Sequence, residues 1–270
     1  MKKIIVSLMI LVIVSCGTTA MMMNVTRPAE VNLKEYNKIA LGDIVDEDGK
    51  ADRHAKDIAD FITTSLFESG KYEVLDRQNL QSIMSEHKLS LSGLIDENTA
   101  TELGKIIGAA ALVFGRIQTD NYDEETSKAD PWVDKKGNRH QTHYREGTYS
   151  LSVNLKIVDI LTAKILAVKS LSASYSSSKH KDNGWPEEID TSYLYTKCLI
   201  KVTQDFMHLV APYDVQIKAK FQTDKKLAEV DQAINQLKIG EWEEAIGLFI
   251  SATEKTGIDA KIQVTQDFMI

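Results

Sequence analysis

The stretch Tyr149–Ile157 reads YSLSVNLKI and alternates apolar and polar side chains without interruption. Its odd-numbered positions are apolar and its even-numbered positions are polar. Because successive side chains of a strand point to opposite faces, this pattern predicts a strand with one buried face. Asp159–Ala163 is typical of a turn, and Ile165–Tyr175 is predicted to return as the partner strand of a hairpin.

Strands and helices alternate in the residues that precede this hairpin. Strands are predicted at Lys38–Ile44, Tyr72–Leu75 and Ala110–Ile117. The helix between the first two has an apolar face and a closing glycine, namely Ala55, Ile58, Ile62, Leu66 and Gly70. Two further helices are expected after the N-cap candidates Asp76 and Asp96. This alternation indicates a layered α/β fold of sheet and helices.

Two polar segments flank the alternating strand and its partner. Gln118–Gly147 shows no apolar periodicity, and Ser176–Gly184 is rich in serine and lysine. Both are predicted to be loops, and a loop as long as the first is usually functional or disordered. After them, Pro186 with two acidic residues suits the first turn of a last helix, which stops before Pro212. Its apolar face comprises Tyr195, Leu199, Val202, Phe206 and Leu209.

The composition argues against several classes of function. The formal net charge of −7 disfavours nucleic-acid binding, which needs concentrated positive charge. The sequence contains no phosphate-binding glycine motif, nucleophile elbow or zinc-protease motif. His140 and His143 could offer two imidazoles to a metal, but we interpret their segment as a solvated loop. We therefore predict no enzyme, no catalytic residue, no cofactor and no metal site.

The first residues are typical of a bacterial secretory signal. Lys2 and Lys3 precede an apolar run that is too short to span a bilayer. The run ends in Ile13-Val14-Ser15-Cys16-Gly17, which resembles a lipobox. That resemblance implies cleavage after residue 15, lipid attachment to Cys16 and, with Gly17 following, the outer membrane. The alternatives are an ordinary signal peptide with a chance cysteine or an N-terminal membrane helix.

Two further expectations follow from this start of the chain. Residues 16–35 show few periodic apolar positions and are predicted to be an extended tether. The chain has two cysteines, so lipidation of Cys16 would leave Cys198 without an internal disulfide partner. Because Cys198 lies in a helical pattern beside Leu199 and Ile200, we expect a buried and inert thiol.

Four motifs occur in a characteristic order along the α/β segment. They are VLDR at Val74–Arg77, SGLID at Ser92–Asp96, ELGKIIGAAALVFG at Glu102–Gly115 and SVNLKIVDILTAKIL at Ser152–Leu166. Together they resemble the CsgG/HfaB family of curli assembly lipoproteins. The resemblance covers residues 36–212 and implies a periplasmic α/β domain that forms a ring oligomer. It also implies a non-enzymatic role in export or envelope assembly, with an unfolded exported protein or other envelope proteins as partners.

Two points about this resemblance shape the functional hypothesis. The hairpins with which family members form a pore would fall near residues 118–148 and 173–190, where this chain is mostly charged or polar. We therefore do not expect it to contribute pore strands of its own. The same α/β domain also resembles lipoproteins that activate cell-wall synthases. The alternative function is thus a periplasmic, partner-binding regulator of such a synthase.

Residues 213–270 are predicted to form a helical tail with one tetratricopeptide-like repeat. Small and aromatic residues fall at the spacings of such a repeat, namely Ala233, Gly240, Trp242, Ala245, Phe249 and Ala252. The alternative is a plain helical hairpin. A single repeat must pack on another surface, because stability usually needs three or more repeats. The hexapeptide VTQDFM occurs at Val202–Met207 and again at Val264–Met269, and no function is assigned to the duplication.

Overall fold

The computed structural model describes residues 17–75, 107–108, 110–223, 228–256 and 264–265. These residues form two compact units, one between Pro28 and Tyr213 and one that combines Gly17–Arg27 with the described residues after Tyr213. The predicted signal peptide, Cys16, and the helices expected after Asp76 and Asp96 lie outside the described residues, apart from Ile107 at the end of the second.

In chain order the elements are β1 (Gly17–Arg27), β2 (Lys38–Val45), α1 (Arg53–Ser69), β3 (Glu73–Leu75), β4 (Ala111–Lys128), β5 (Trp132–Val133), β6 (Arg139–His140), β7 (Thr142–Asp159), β8 (Ile165–Asp182), α2 (Thr191–Val210), β9 (Tyr213–Thr223), α3 (Ala228–Ile239), α4 (Trp242–Thr256) and β10 (Val264–Thr265).

The larger unit is the predicted layered α/β fold, with a five-stranded sheet in the order β3-β2-β4-β7-β8. The first three strands run parallel, and β4, β7 and β8 are antiparallel neighbours. Alternation along β7 buries its odd-numbered side chains from Tyr149 to Ile157, which confirms the sequence prediction. These side chains share one hydrophobic core with helices α1 and α2.

Local signals fix both helices of this core. In α1, the Asp52 carboxylate accepts a hydrogen bond from the Ala55 backbone N–H, and Gly70 ends the helix in the left-handed conformation with φ 59°. The predicted apolar face of α1 is buried. Helix α2 begins at Thr191 behind the N-cap Asp190, so the predicted start at Pro186 was wrong by about one turn.

The two polar segments are strands and not loops, so those predictions were wrong. β4 continues to Lys128, β7 already begins at Thr142, and β8 continues to Asp182. The physical reason is that these strands pair through their backbones, and a ladder of backbone hydrogen bonds does not require apolar side chains. The remaining residues between β4 and β7 include the short β5–β6 hairpin.

The smaller unit contains a three-stranded sheet, β1-β9-β10, and the helices α3 and α4. Its core combines residues of β9 and both helices with Met21 and Met23 of β1. Residues 17–27, which lie in the predicted tether, form a strand that is paired in this sheet. The predicted tail begins with strand β9, and its helical hairpin is present at residues 228–256. Its assignment as a tetratricopeptide-like repeat stays a prediction.

No helix in the described part of the chain is both long and apolar enough to cross a membrane.

Candidate functional site

The candidate site is a three-stranded arm that continues the sheet of the larger unit. We define the arm as residues 118–128 of β4, 142–152 of β7 and 172–182 of β8, with the β5–β6 hairpin at its tip. Pairing of β2 with β4 ends at Arg116, whereas β4, β7 and β8 stay paired as far as Lys128, His143 and Lys181. Among the described strands, the arm therefore has two unpaired edges, one on β4 and one on β8.

A network of polar side chains fixes the root of the arm to the helices. The Tyr149 hydroxyl donates to Asp120 Oδ1 at 2.5 Å, and His54 Nδ1 lies 2.5 Å from Asp120 Oδ2. The His54 ring stacks on Tyr195 with 4.2 Å between the ring centroids. The Cys198 thiol lies 3.4 Å from the Tyr149 carbonyl oxygen. These contacts join α1, β4, β7 and α2 at one point.

Burial keeps two tyrosines and one cysteine at the root of the arm in their neutral forms. It raises the pKa of Tyr149, and the hydrogen bond to Asp120 adds to the effect. Burial also raises the pKa of Tyr195, with the Asp57 charge as the next cause. Cys198 is buried, and burial raises the pKa of its thiol, which confirms the expectation of a buried, unreactive cysteine. The root is thus suited to hold the arm and not to supply a nucleophile.

These shifts predict that the arm root loosens in alkali. Because the folded-state pKa values of Tyr149 and Tyr195 are raised, their stabilising contribution is fully present below about pH 10 and is lost as pH rises through those values. As the pH rises above about 10, we expect the denaturant concentration at the unfolding midpoint to decrease. The decrease should be smaller in Tyr149→Phe. Denaturant titrations at a series of pH values test this. If the midpoint decreased equally with pH in the native protein and in Tyr149→Phe, the prediction would be contradicted.

In the middle of the arm, a tyrosine ring packs over a glycine on the neighbouring strand. The Tyr122 ring lies against Gly147, where an added Cβ would overlap ring atoms. The Tyr122 hydroxyl donates to Glu124 Oε2 at 2.7 Å, and Arg145 forms an ion pair with the same carboxylate. Burial, followed by the Glu124 hydrogen bond, raises the pKa of Tyr122 to about 12. This face of the arm is therefore tightly packed despite its polar composition.

The opposite face of the arm carries small hydroxyl side chains. The hydroxyl oxygens of Ser150 and Ser174 are 3.0 Å apart, and those of Thr148 and Ser176 are 2.8 Å apart. The burial pattern of β8 alternates along the same length, with the even-numbered residues exposed. Cross-strand hydroxyl pairs stabilise a sheet modestly and leave its backbone edge accessible.

The tip is ordered by aromatic and polar contacts. Trp132 stacks on His140 at 4.7 Å, and its indole N–H donates to Thr142 Oγ1 at 3.2 Å. His140 Nε2 lies 3.2 Å from Asp134 Oδ2. Hydrogen bonds from Asn138 hold the pKa of the Asp134 carboxyl well below its usual range. The predicted solvated loop is thus a folded hairpin.

The two histidines that the sequence suggested as metal ligands do not converge. His143 packs edge-on against Trp185 at 4.8 Å, and Lys128 lies 5.4 Å from the centroid of the same indole. His140 instead stacks on Trp132, and the Trp132 indole donates a hydrogen bond to Thr142. Thr142 and His143 are adjacent in β7, so their side chains point to opposite faces of the strand. Within the described ranges, no group of three or more potential ligands is placed to hold a metal ion.

The two edges of the arm carry opposite charge. The β4 edge contains the acidic run Asp123, Glu124 and Glu125, and the β8 edge contains the basic run Lys179, His180 and Lys181. The pairing register places the acidic run level with residues 176–178 of β8, so the basic run begins one residue further toward the tip. A strand edge presents unpaired backbone groups, so each run lies beside a row of hydrogen-bonding groups suited to another strand.

Comparison with known proteins adds a family match. The family model described as "Curli production assembly/transport component CsgG" matches residues 31–185, which is more than half of the chain. No curated protein matches the sequence significantly.

Several solved bacterial proteins match part of the chain. The PelC L103M dodecamer from Paraburkholderia phytofirmans is 9% identical, with 71% of this chain and 98% of that chain covered and a TM-score of 0.35. The hypothetical protein CT253 from Chlamydia trachomatis is 14% identical (65% and 98% covered, TM-score 0.39). The LpoB C-terminal domain from Salmonella enterica is 12% identical (51% and 83% covered, TM-score 0.31).

Proposed function

Because this chain belongs to the CsgG family of curli production assembly/transport components, we propose that it is an outer-membrane-anchored lipoprotein that assembles into a ring. Family membership assigns it to non-enzymatic components of the envelope. The finer proposal is that lipid on Cys16 anchors it with the folded units facing the periplasm. Its partners are then other copies of itself and an exported, unfolded protein.

The two unpaired edges of the arm carry the proposal of self-assembly. A long, unprotected edge is a site at which another chain can pair. An assembly in which the β8 edge of one copy meets the β4 edge of the next uses two different surfaces, and such head-to-tail contacts generate closed rings when the rotation closes. Each copy then leaves no arm edge unpaired.

The number of strands in the arm determines the geometry of this contact. β4 and β8 are both antiparallel to β7, so they run in the same direction. If neighbouring arms point the same way, the seam between copies is a parallel pair, while the pairs inside each arm are antiparallel. The acidic run of β4 then approaches the basic run of β8 from the next copy. Opposite charges across a seam favour this register and disfavour the pairing of like edges.

Charge exchange between the edges tests the proposal. Asp123→Lys with Glu125→Lys places positive charge on both edges, and Lys179→Glu with Lys181→Glu places negative charge on both. In each double variant, we expect the protein concentration needed for assembly to rise at least tenfold. This concentration is obtained by measuring particle mass over a range of protein concentrations in detergent. The quadruple variant restores opposite charges and is expected to assemble again.

The outcomes separate the two functional hypotheses. Failure of the quadruple variant to recover while each double variant stays folded would contradict the edge contact. A native protein that remains monomeric at high concentration would contradict the ring itself and would favour the partner-binding regulator of a cell-wall synthase.

A further inference from the structure

Helix α4 of the smaller unit carries an apolar stripe that points away from its core. The stripe consists of Trp242, Ile246 and Ile250, which are 42%, 55% and 54% exposed, and it continues onto Ile239, which is 71% exposed at the end of α3. The three α4 residues are spaced at i, i+4 and i+8, so they form one line along the helix. The line from Trp242 to Ile250 is about 12 Å long at 1.5 Å per residue.

The stripe is separate from the side of α4 that packs inside the unit. Ala245 and Ala252 are buried, and Phe249 stacks on Phe221 of β9 with 5.6 Å between the ring centroids. A helix at a protein surface normally has one apolar face and one polar face. Helix α4 has a second apolar line beside its core-facing side, and contiguous exposed apolar side chains of this kind mark interaction sites.

The charge around the stripe indicates which kind of partner it fits. Residues 228–256 are strongly acidic, with Glu229, Asp231, Glu241, Glu243, Glu244 and Glu254 against Lys238 and Lys255. By helical spacing, Glu243 and Glu254 lie within one turn of Ile246 and Ile250. Two copies of this hairpin would repel each other, and so would an anionic bilayer and the hairpin. A partner with positive charge is attracted.

We propose that this stripe binds an amphipathic helix of a protein partner. That helix would present aliphatic side chains at i and i+4 to the stripe and lysine or arginine on both flanks to the acidic residues around it. About two to three turns suffice to cover the stripe. Recognition of an amphipathic helix by an apolar surface with complementary charge is a recurrent mode of protein binding. The inference requires neither the lipid anchor nor the ring.

A synthetic peptide provides the test. The probe is a fluorescent two-heptad peptide with the repeat Leu-Lys-Lys-Leu-Leu-Lys-Leu. Full-length protein is held in phosphatidylcholine nanodiscs, and binding to empty nanodiscs is subtracted. We expect saturable binding by fluorescence anisotropy. We also expect at least tenfold weaker binding of the matched peptide in which glutamate replaces lysine.

Substitutions on α4 locate the binding surface. We expect Ile246→Glu with Ile250→Glu to raise the Kd at least tenfold, although it adds negative charge that would attract a basic peptide more strongly if charge alone acted. Ser251→Glu, an exposed control on another side of the same helix, should change the Kd less than twofold. Ile246→Ala with Ile250→Ala repeats the test if the glutamates unfold the helix.

Three results would overturn the proposal. The first is unchanged affinity in both stripe variants. The second is equal binding of the acidic peptide. The third is concentration-dependent self-association that the stripe variants remove, which would identify a second copy of the chain as the occupant.

Discussion

Replacing Cys16 by alanine is expected to abolish incorporation of labelled palmitate into the protein. In the proposed function, the Cys16 sulfur is the attachment point of the lipid and the nitrogen of Cys16 becomes the new amino terminus. Without the thiol, the thioether bond to diacylglycerol cannot form, and the cleavage that follows it does not occur. The expected product is an unlabelled chain that retains its first 15 residues, as measured by autoradiography and intact mass.

The control for this experiment is the only other cysteine in the sequence. Cys198 is buried and contacts the Tyr149 carbonyl. Cys198→Ala should therefore leave palmitate incorporation unchanged. Label that persists in Cys16→Ala, or is lost in Cys198→Ala, would refute attachment at Cys16. Anchoring depends on this step because each buried CH₂ of an acyl chain contributes about 0.8 kcal/mol to membrane binding.

Replacing Phe206 by alanine is expected to destabilise the larger unit by about 3–5 kcal/mol. Phe206 is the largest of the fully buried side chains in the described residues and lies on α2 within the main core. Its removal loses the transfer free energy of the ring and leaves a cavity that close-packed neighbours fill only in part. At about 1.4 kcal/mol per tenfold, global opening becomes roughly 10²- to 4 × 10³-fold more frequent.

Hydrogen–deuterium exchange of the α2 backbone amides measures this effect without interference from the smaller unit. The most protected amides of Thr191–Val210 should exchange faster by the factor given above. Ile200→Ala removes an exposed side chain from the same helix and should change exchange little. If Phe206→Ala behaved like Ile200→Ala, the core assigned to α2 would be incorrect.

The root of the arm illustrates why residue types alone do not define a catalytic site. His54, Asp120 and Tyr149 are groups that enzymes use, and both His54 and Tyr149 lie within hydrogen-bonding distance of the Asp120 carboxylate. Here, however, both contacts use the Asp120 carboxylate, and the raised pKa of Tyr149 keeps its phenol neutral. A catalytic group needs a pKa near the working pH and access to substrate. The network instead acts as a clamp between helices and arm.

The core of the larger unit was predictable because burial imposes periodicity on the sequence. The alternation at Tyr149–Ile157 and the helical spacing of Ala55, Ile58, Ile62 and Leu66 match the buried faces of β7 and α1. The start of α2 was less predictable. Asp190 and Glu187 are both acceptable near a helix start, and only the bond from the Tyr193 N–H to Asp190 distinguishes them.

The arm could not be predicted by the same reasoning, because polar side chains cover much of both faces. One signal was nonetheless present in the alternating serines of β8 at 170, 172, 174, 176 and 178. Strand β9 had a clearer signal, since Tyr213–Phe221 alternates apolar and polar residues throughout, and it was missed because the tail was interpreted as helical. The charge difference between the arm edges emerges only from the strand pairing.

The duplicated hexapeptide shows how far context determines structure. Val202–Met207 lies within helix α2, whereas Val264 and Thr265, which begin the second copy, pair with Ala219 and Lys218 of β9. The same letters thus begin a strand in one place and continue a helix in the other. Tertiary contacts decide between the two, because intrinsic preferences amount to only tenths of a kcal/mol per residue.

Native mass spectrometry of the full-length protein extracted from bacterial membranes tests the central claim most directly. The account predicts one oligomer with a fixed number of subunits. Each subunit starts at Cys16 and is heavier than its polypeptide by the mass of the attached lipid. A monomer whose mass equals that of the unmodified chain would contradict both the anchor and the ring.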